Sequence, residues 1–185
     1  VGFLLYYRKR NFIKSLMDLH YFNIKYVQVY EKALDTTSSI DMYQVYAQFL
    51  KELAGLEGPK EKNTNRLNHS EEEKYETASQ LLQLYSRAKE ASICSPCIAE
   101  GHVNVLLYLG ELDTARKLLE DLCLREFKSC ARLWRMRIVL EMKREMMTEL
   151  SDLSRLIDLC EMGLKQIPMS EAQDIWAMVI FLHHT

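Results

Sequence analysis

Turn-forming residues are scarce in this chain, with six glycines and three prolines among 185 residues. All-β folds need such residues at nearly every hairpin, so that architecture is disfavoured. No stretch alternates apolar and polar residues with a period of two, which removes the remaining support for strands. Long apolar runs are missing too, and none approaches the roughly 20 residues that a membrane-spanning helix needs. The formal net charge is -2 and no basic tail or block is present, so tight nonspecific binding to a phosphate backbone is not expected. Catalytic patterns are equally absent. There is no glycine-rich phosphate loop and no HExxH, and the histidines at 20, 69, 102, 183 and 184 do not pair with a plausible nucleophile. The sequence therefore predicts no catalytic residues, no cofactor, no membrane partner and no small-molecule substrate.

Cysteine usage points the same way. Five cysteines, an odd number, fall at 94, 97, 123, 130 and 160 within helical apolar patterns. That suits buried thiols in a reducing compartment rather than a disulfide framework. Cys94-Ser95-Pro96-Cys97 has CxxC spacing, but a zinc site needs four ligands and no second pair lies at finger spacing. A thioredoxin-type site would need a preceding strand. The reading is structural thiols at a helix start, with a partial site of Cys94, Cys97 and nearby His102 as the alternative. The Asn68-His69-Ser70 sequon carries little weight without a secretory signal. The opening VGFLLYYRKR places its apolar run before its cations, the reverse of such a signal, and reads as the truncated end of a helix.

What is present is helix. Apolar residues make up 48% and charged residues 27%, a globular mixture dominated by good helix formers. Residues 21–35 place Ile24, Val27, Tyr30, Ala33 and Leu34 on one helical stripe. Serines at 38 and 39 offer caps for a helix carrying Tyr43, Tyr46 and Phe49, which stops at Gly55. Residues 55–72 are polar, with Gly, Pro and Asn, and read as an insertion loop. Further helices are predicted at about 71–91, 98–110, 111–124 with Asp113 as cap, 129–145, 150–167 and 171–184 with Ser170 as cap. The division expected is a divergent segment 1–25, helices over 26–54, the insertion 55–72 and helical hairpins over 73–185. About nine helices and no strand make the chain all-α.

Two patterns recur along those helices. VYEKAL (29–34) is echoed by LYSRAK (84–89) and LCEMGL (159–164). Between them lie MYQVYAQFL (42–50), LWRMRIVLE (133–141) and IWAMVIFL (175–182), where an aromatic follows an apolar residue. The repeat is roughly 35 to 45 residues long, the mark of a helical solenoid. Its physical logic is close packing. Small residues (Ala33, Ala88 and Gly163) let a neighbouring helix approach, and large aromatics (Trp134 and Trp176) fill the groove beside them. Glu31 and Lys32 stay at the hairpin edge. Each hairpin then buries its two apolar sides only by stacking on its neighbours.

These strings resemble the half-a-TPR (HAT) repeat. Val29, Tyr30, Glu31, Lys32, Ala33 and Leu34 match its second helix. Tyr43, Tyr46 and Phe49, and Trp134 with Glu141, match its first. Leu50, Cys160 and Gly163 depart from the pattern. The resemblance implies a right-handed α-α superhelix of antiparallel hairpins. Taken in order over about residues 26–182, the helices are similar to the C-terminal part of the U3 small nucleolar RNA-associated protein 6 family. That similarity implies a non-catalytic scaffold of the small-subunit processome, in the nucleus and nucleolus, supporting pre-ribosomal RNA processing. Its implied partners are other processome proteins, including WD-repeat propeller subunits, with U3 RNA or pre-ribosomal RNA as further candidates.

One basic region stands out around Trp134. Arg132, Arg135, Arg137, Lys143 and Arg144 are candidates for touching RNA or an acidic partner, against the alternative of a solvated helix face. The Glu71–Glu73 run reads as a solvated first turn. Two other functions compete with the processome reading: a HAT scaffold of splicing or mRNA 3'-end formation, and a TPR-like peptide binder. The last should show a clamp of Asn, Lys and Arg on the groove-lining helices, and the sequence offers none.

Overall fold

The computed structural model describes residues 23–56, 70–146 and 153–184, and all regular structure among them is helical. We number the helices α1 (23–36), α2 (Ile40–Ala54), α3 (Glu71–Glu90), α4 (Pro96–Tyr108), α5 (Leu112–Asp121), α6 (Ala131–Met146), α7 (Leu153–Gln166) and α8 (Gln173–His183). The proposed N-terminal helix and most of the 55–72 insertion lie outside the described residues. The chain divides into two compact units, Val1–Phe49 and Leu50–Thr185.

Helix ends follow local chemistry. Ser70 caps α3 through a capping box, its Oγ accepting from Glu73 N–H while the Glu73 carboxylate accepts from Ser70 N–H. Ser95 caps α4, and Pro96 fills the first position, where a missing N–H costs nothing. The ends of α2, α3 and α4 share one geometry. Leu56 N–H bonds Lys51 O, Ile93 N–H bonds Ala88 O and Glu111 N–H bonds Leu106 O, each closing a six-residue loop. Such a closure needs a left-handed residue, found at Gly55, Ser92 and Gly110 with φ of 68°, 57° and 78°. Ser92 is the one that carries a side chain there.

Two expected caps are corrected. Asp113 lies inside the first turn of α5, where it pairs with Arg116, and Glu111 at the cap position makes no capping bond, its carboxylate accepting from the Thr114 hydroxyl at 3.4 Å instead. Ser170 lies in a 3-10 turn, Met169–Glu171, and α8 starts at Gln173 behind Ala172. The helix expected over 111–124 is also broken. After Asp121 it widens into a π turn, Leu122–Glu126, closed by Phe127 N–H donating to Leu122 O at 2.7 Å. The wider turn buries both Leu122 and Cys123.

In the first unit α1 packs on the start of α2 through aromatics. Tyr30 stacks on Tyr46 at 5.0 Å and tilts against Phe49 at 5.3 Å, while Leu34, Tyr43, Tyr46 and Ala47 are buried. Val29 points outward and is 61% exposed, so its place in the repeat string contributes no core here.

In the second unit each helix from α3 to α8 packs on the next, and α4 also meets α6. The core runs from Ala99 on α4 through Leu119, Trp134 and Cys160 to Leu182 on α8. Trp134 is fully buried, and its Nε1 donates to Lys128 O at 2.7 Å. A Cβ added to Gly163 would lie 3.1 Å from Trp134 Cε3 and 3.3 Å from Cδ2. That is the small-against-aromatic contact the sequence predicted between α6 and α7. Between α3 and α4 the roles exchange: the small residue, Gly101, sits on α4 and the aromatic, Tyr85, on α3, with Ala88 fully buried one turn further on. Trp176 departs from the expectation. Helix α8 buries Ile175, Val179 and Leu182, a stripe at spacings of four and three, and Trp176 lies off it, 46% exposed.

Two stability changes are expected. Gly163→Leu drives side-chain atoms into an indole already fixed by its hydrogen bond, and should cost about 2–3 kcal/mol in urea unfolding. Ser92→Gly relieves a left-handed side chain and should raise stability by roughly 0.5–1 kcal/mol. A rise in stability for the first or a fall for the second would contradict the packing described.

Candidate functional site

The basic region around Trp134 separates into two faces. Successive helix residues turn by about 100°. Arg132, Arg135, Val139, Met142 and Lys143 therefore share one side of α6, with Arg137 and Arg144 on the opposite side. On the first side Arg132 reaches Glu100 of α4 at 3.7 Å and Arg135 reaches Asp174 of α8 at 2.9 Å. Lys143 has no ion-pair partner among the described residues. Between α6 and α8 lies a shallow groove of about 440 Å³, lined by Arg135, Val139, Met142, Asp174, Ala177, Met178 and Phe181.

On the opposite side the charges turn inward. Arg137 Nη2 donates to Glu120 Oε1 at 3.3 Å, and its guanidinium sits 5.5 Å above the Trp134 ring. Its Nη1 is buried without a hydrogen-bond partner among the described residues. Arg144 grips buried Glu145 at 2.6 Å and Glu141 at 3.3 Å. Arg116 Nε lies 2.8 Å from Glu141 Oε1, at an angle unsuited to a hydrogen bond. Glu141 thus joins α5 to α6 as well as standing in the repeat string. These groups ring a cleft of about 240 Å³ between α5, α6 and α7, together with Arg155, Asp158 and Met162. The five cations do not form one basic patch. The sequence shows each charge but not the acids that the fold brings to Arg132, Arg135 and Arg137.

In the CxxC stretch Cys94 is half-buried and Cys97 is exposed. Among the described residues no group of three or more His, Cys, Asp or Glu is placed to hold a metal ion. Cys94 and Cys97 are free thiols, and burial raises the pKa of Cys94. Burial pushes the Cys123 thiol up to about 12 and the Cys160 thiol to about 11, so both stay protonated at neutral pH. His102 stacks on Tyr85 with ring centroids 5.8 Å apart. Burial, aided by the positive charge of Lys89, pulls its pKa down to about 4.

The described residues form helices and no strand, which places the chain among all-α proteins. A family model described as U3 small nucleolar RNA-associated protein 6 C-terminal matches residues 25–178, and the chain belongs to that family. No curated protein and no solved structure gives a match. The family is a structural component of the small-subunit processome, acts in ribosomal RNA processing and works in the nucleolus.

His102 gives the second unit a defined acid sensitivity. Its proton affinity is higher in the unfolded chain, near 6.5, than in the folded one, near 4, so protons favour unfolding between those values. Stability should fall as pH drops through that window, by about 2 kcal/mol at pH 5 from this group. Urea unfolding of the chain and of His102→Gln at pH 7 and pH 5 checks this. The variant should lose markedly less on acidification, and equal losses would contradict it.

Proposed function

We propose that this chain is a non-catalytic scaffold segment of the small-subunit processome, holding protein partners close to U3-bound pre-ribosomal RNA. The match to the family over residues 25–178 carries this reading. In our reading the helices form a right-handed superhelix of HAT-type hairpins, divided as 26–54, an insertion at 55–72 and 73–185, after a divergent segment 1–25. The contacts between alternate helices support a stacked arrangement. Lys89 of α3 pairs with Asp121 of α5 at 3.3 Å, and the Arg132–Glu100 and Arg135–Asp174 pairs join α4 to α6 and α6 to α8. Protein contacts are favoured over RNA because most of the candidate cations already face carboxylates, leaving few to displace counterions from phosphates. The WD-repeat propeller subunits are the partners proposed.

Affinity purification of the tagged protein from cells tests the reading, with quantification of U3 RNA and identification of co-purifying proteins. U3 RNA and propeller subunits should be enriched together. Recovery of splicing or 3'-end-formation factors without U3 RNA would assign the chain to another RNA machine.

A further inference from the structure

The recurring string sets matching residues on three helices, and on one of them they lie open. Val29 and Ala33 of α1 correspond to Leu84 and Ala88 of α3 and to Leu159 and Gly163 of α7. One turn earlier stand Tyr26, Leu81 and Leu156. In α3 all three positions are buried, and in α7 Leu156 and Gly163 are. In α1 Tyr26 is 52% and Val29 61% exposed, and Ala33 is half-buried. Spacings of three and four put these three on one stripe of the helix. Helix α2 meets the neighbouring flank through Tyr30 and the edge of the stripe through Tyr26, whose ring lies 6.0 Å from Phe49.

Helix α7 shows what covers such a stripe. Its small residue, Gly163, meets Trp134 from the helix immediately before it in the chain. The residues before α1 carry a matching set. Phe3, Tyr6 and Tyr7 precede Ala33 by about as many residues as Trp134 precedes Gly163, and Leu5-Tyr6 repeats the apolar-aromatic pair Leu133-Trp134. Further on, Phe12, Ile13, Leu16, Met17 and Leu19 fall on one side of a 3.6-residue period. Asn11, Lys14, Ser15 and Asp18 fall on the other side. We infer that residues 3–22 are the occupant of this face. They fold back on α1 and cover Tyr26, Val29 and Ala33, with an aromatic of the Phe3–Tyr7 stretch resting on Ala33.

Composition and tethering both favour this segment. Residues 57–69 and 147–152, the other internal stretches outside the described ones, are mostly polar and hold no such stripe. A segment joined directly to Asn23 meets the face at an effective concentration on the order of millimolar. A second copy or a separate protein competes from far lower concentration.

A photo-crosslinking residue in place of Val29 in the purified chain tests this, with the adduct mapped by proteolysis and mass spectrometry. Isotope-labelled and unlabelled chains are mixed beforehand, so that adducts within one chain and between two chains are told apart. The expected adduct joins position 29 to residues 3–22 of the same chain. Ile13→Asp combined with Leu16→Asp, on the apolar side, should lower its yield by roughly tenfold. Lys14→Asp combined with Ser15→Asp, on the polar side, should leave the yield unchanged. An adduct between two chains, an adduct to residues beyond α1, or no adduct would overturn the inference. So would an equal response to the two pairs of substitutions.

Discussion

The approach of α6 to α7 rests on a single absence, the missing side chain at Gly163. The Trp134 indole occupies the space a Cβ would need, 3.1 Å from its nearest ring atom. With its Nε1 held by Lys128 O and Arg137 lying over its face, the ring has little freedom to move aside. From this contact the core extends in both directions. The same core holds Leu133 and Ile138 of α6 and Leu156 and Cys160 of α7. Removing an indole of that size from water stabilises the unit by several kcal/mol, on the order of the whole net stability of a small domain. The ion pairs around it are mostly solvent-facing and contribute little each. Their value lies in fixing which helix sits beside which, since each sign requires its partner at one place.

Function follows from that division of labour. In the second unit apolar packing joins successive helices, and charge pairs link alternate ones. The outward surfaces are left for other molecules. Thiols raised to about 11 and 12 by burial are core atoms rather than nucleophiles. A structural component of a large ribonucleoprotein assembly needs this sort of surface more than it needs a pocket.

Much of the architecture was legible because it is encoded within a few residues. Gly55, Gly110, Ser70 with Glu73, and Pro96 announce helix ends by their own backbone chemistry, and the 3.6-residue stripes announce buried faces. The Trp134–Gly163 contact was also readable, since the repeat pairs a small residue with an aromatic one helix away. Other features depend on partners distant in sequence. Arg135 meets an acid 39 residues on, and Arg137 meets one 17 residues back, so a basic region in one dimension became two separate faces in three. The exchange of roles between Gly101 and Tyr85 has no signal in the sequence, because the α4 string lacks the tryptophan that marks the pattern elsewhere. The π turn after Asp121 carries no signal of glycine or proline. Trp176 misled because its neighbours match the repeat while the buried stripe of α8 runs through Ile175 and Val179 instead.

The dependence on Gly163 can be measured by its sign. Gly163→Ala should destabilise the chain when Trp134 is present, because the added Cβ meets the indole. In a Trp134→Leu background the same substitution should instead stabilise, by up to about 1 kcal/mol, through the better helix propensity of alanine. Equilibrium unfolding of the four proteins in that cycle supplies both values. A reversal of sign between backgrounds is the predicted result, and the same effect of Gly163→Ala in both would contradict the account.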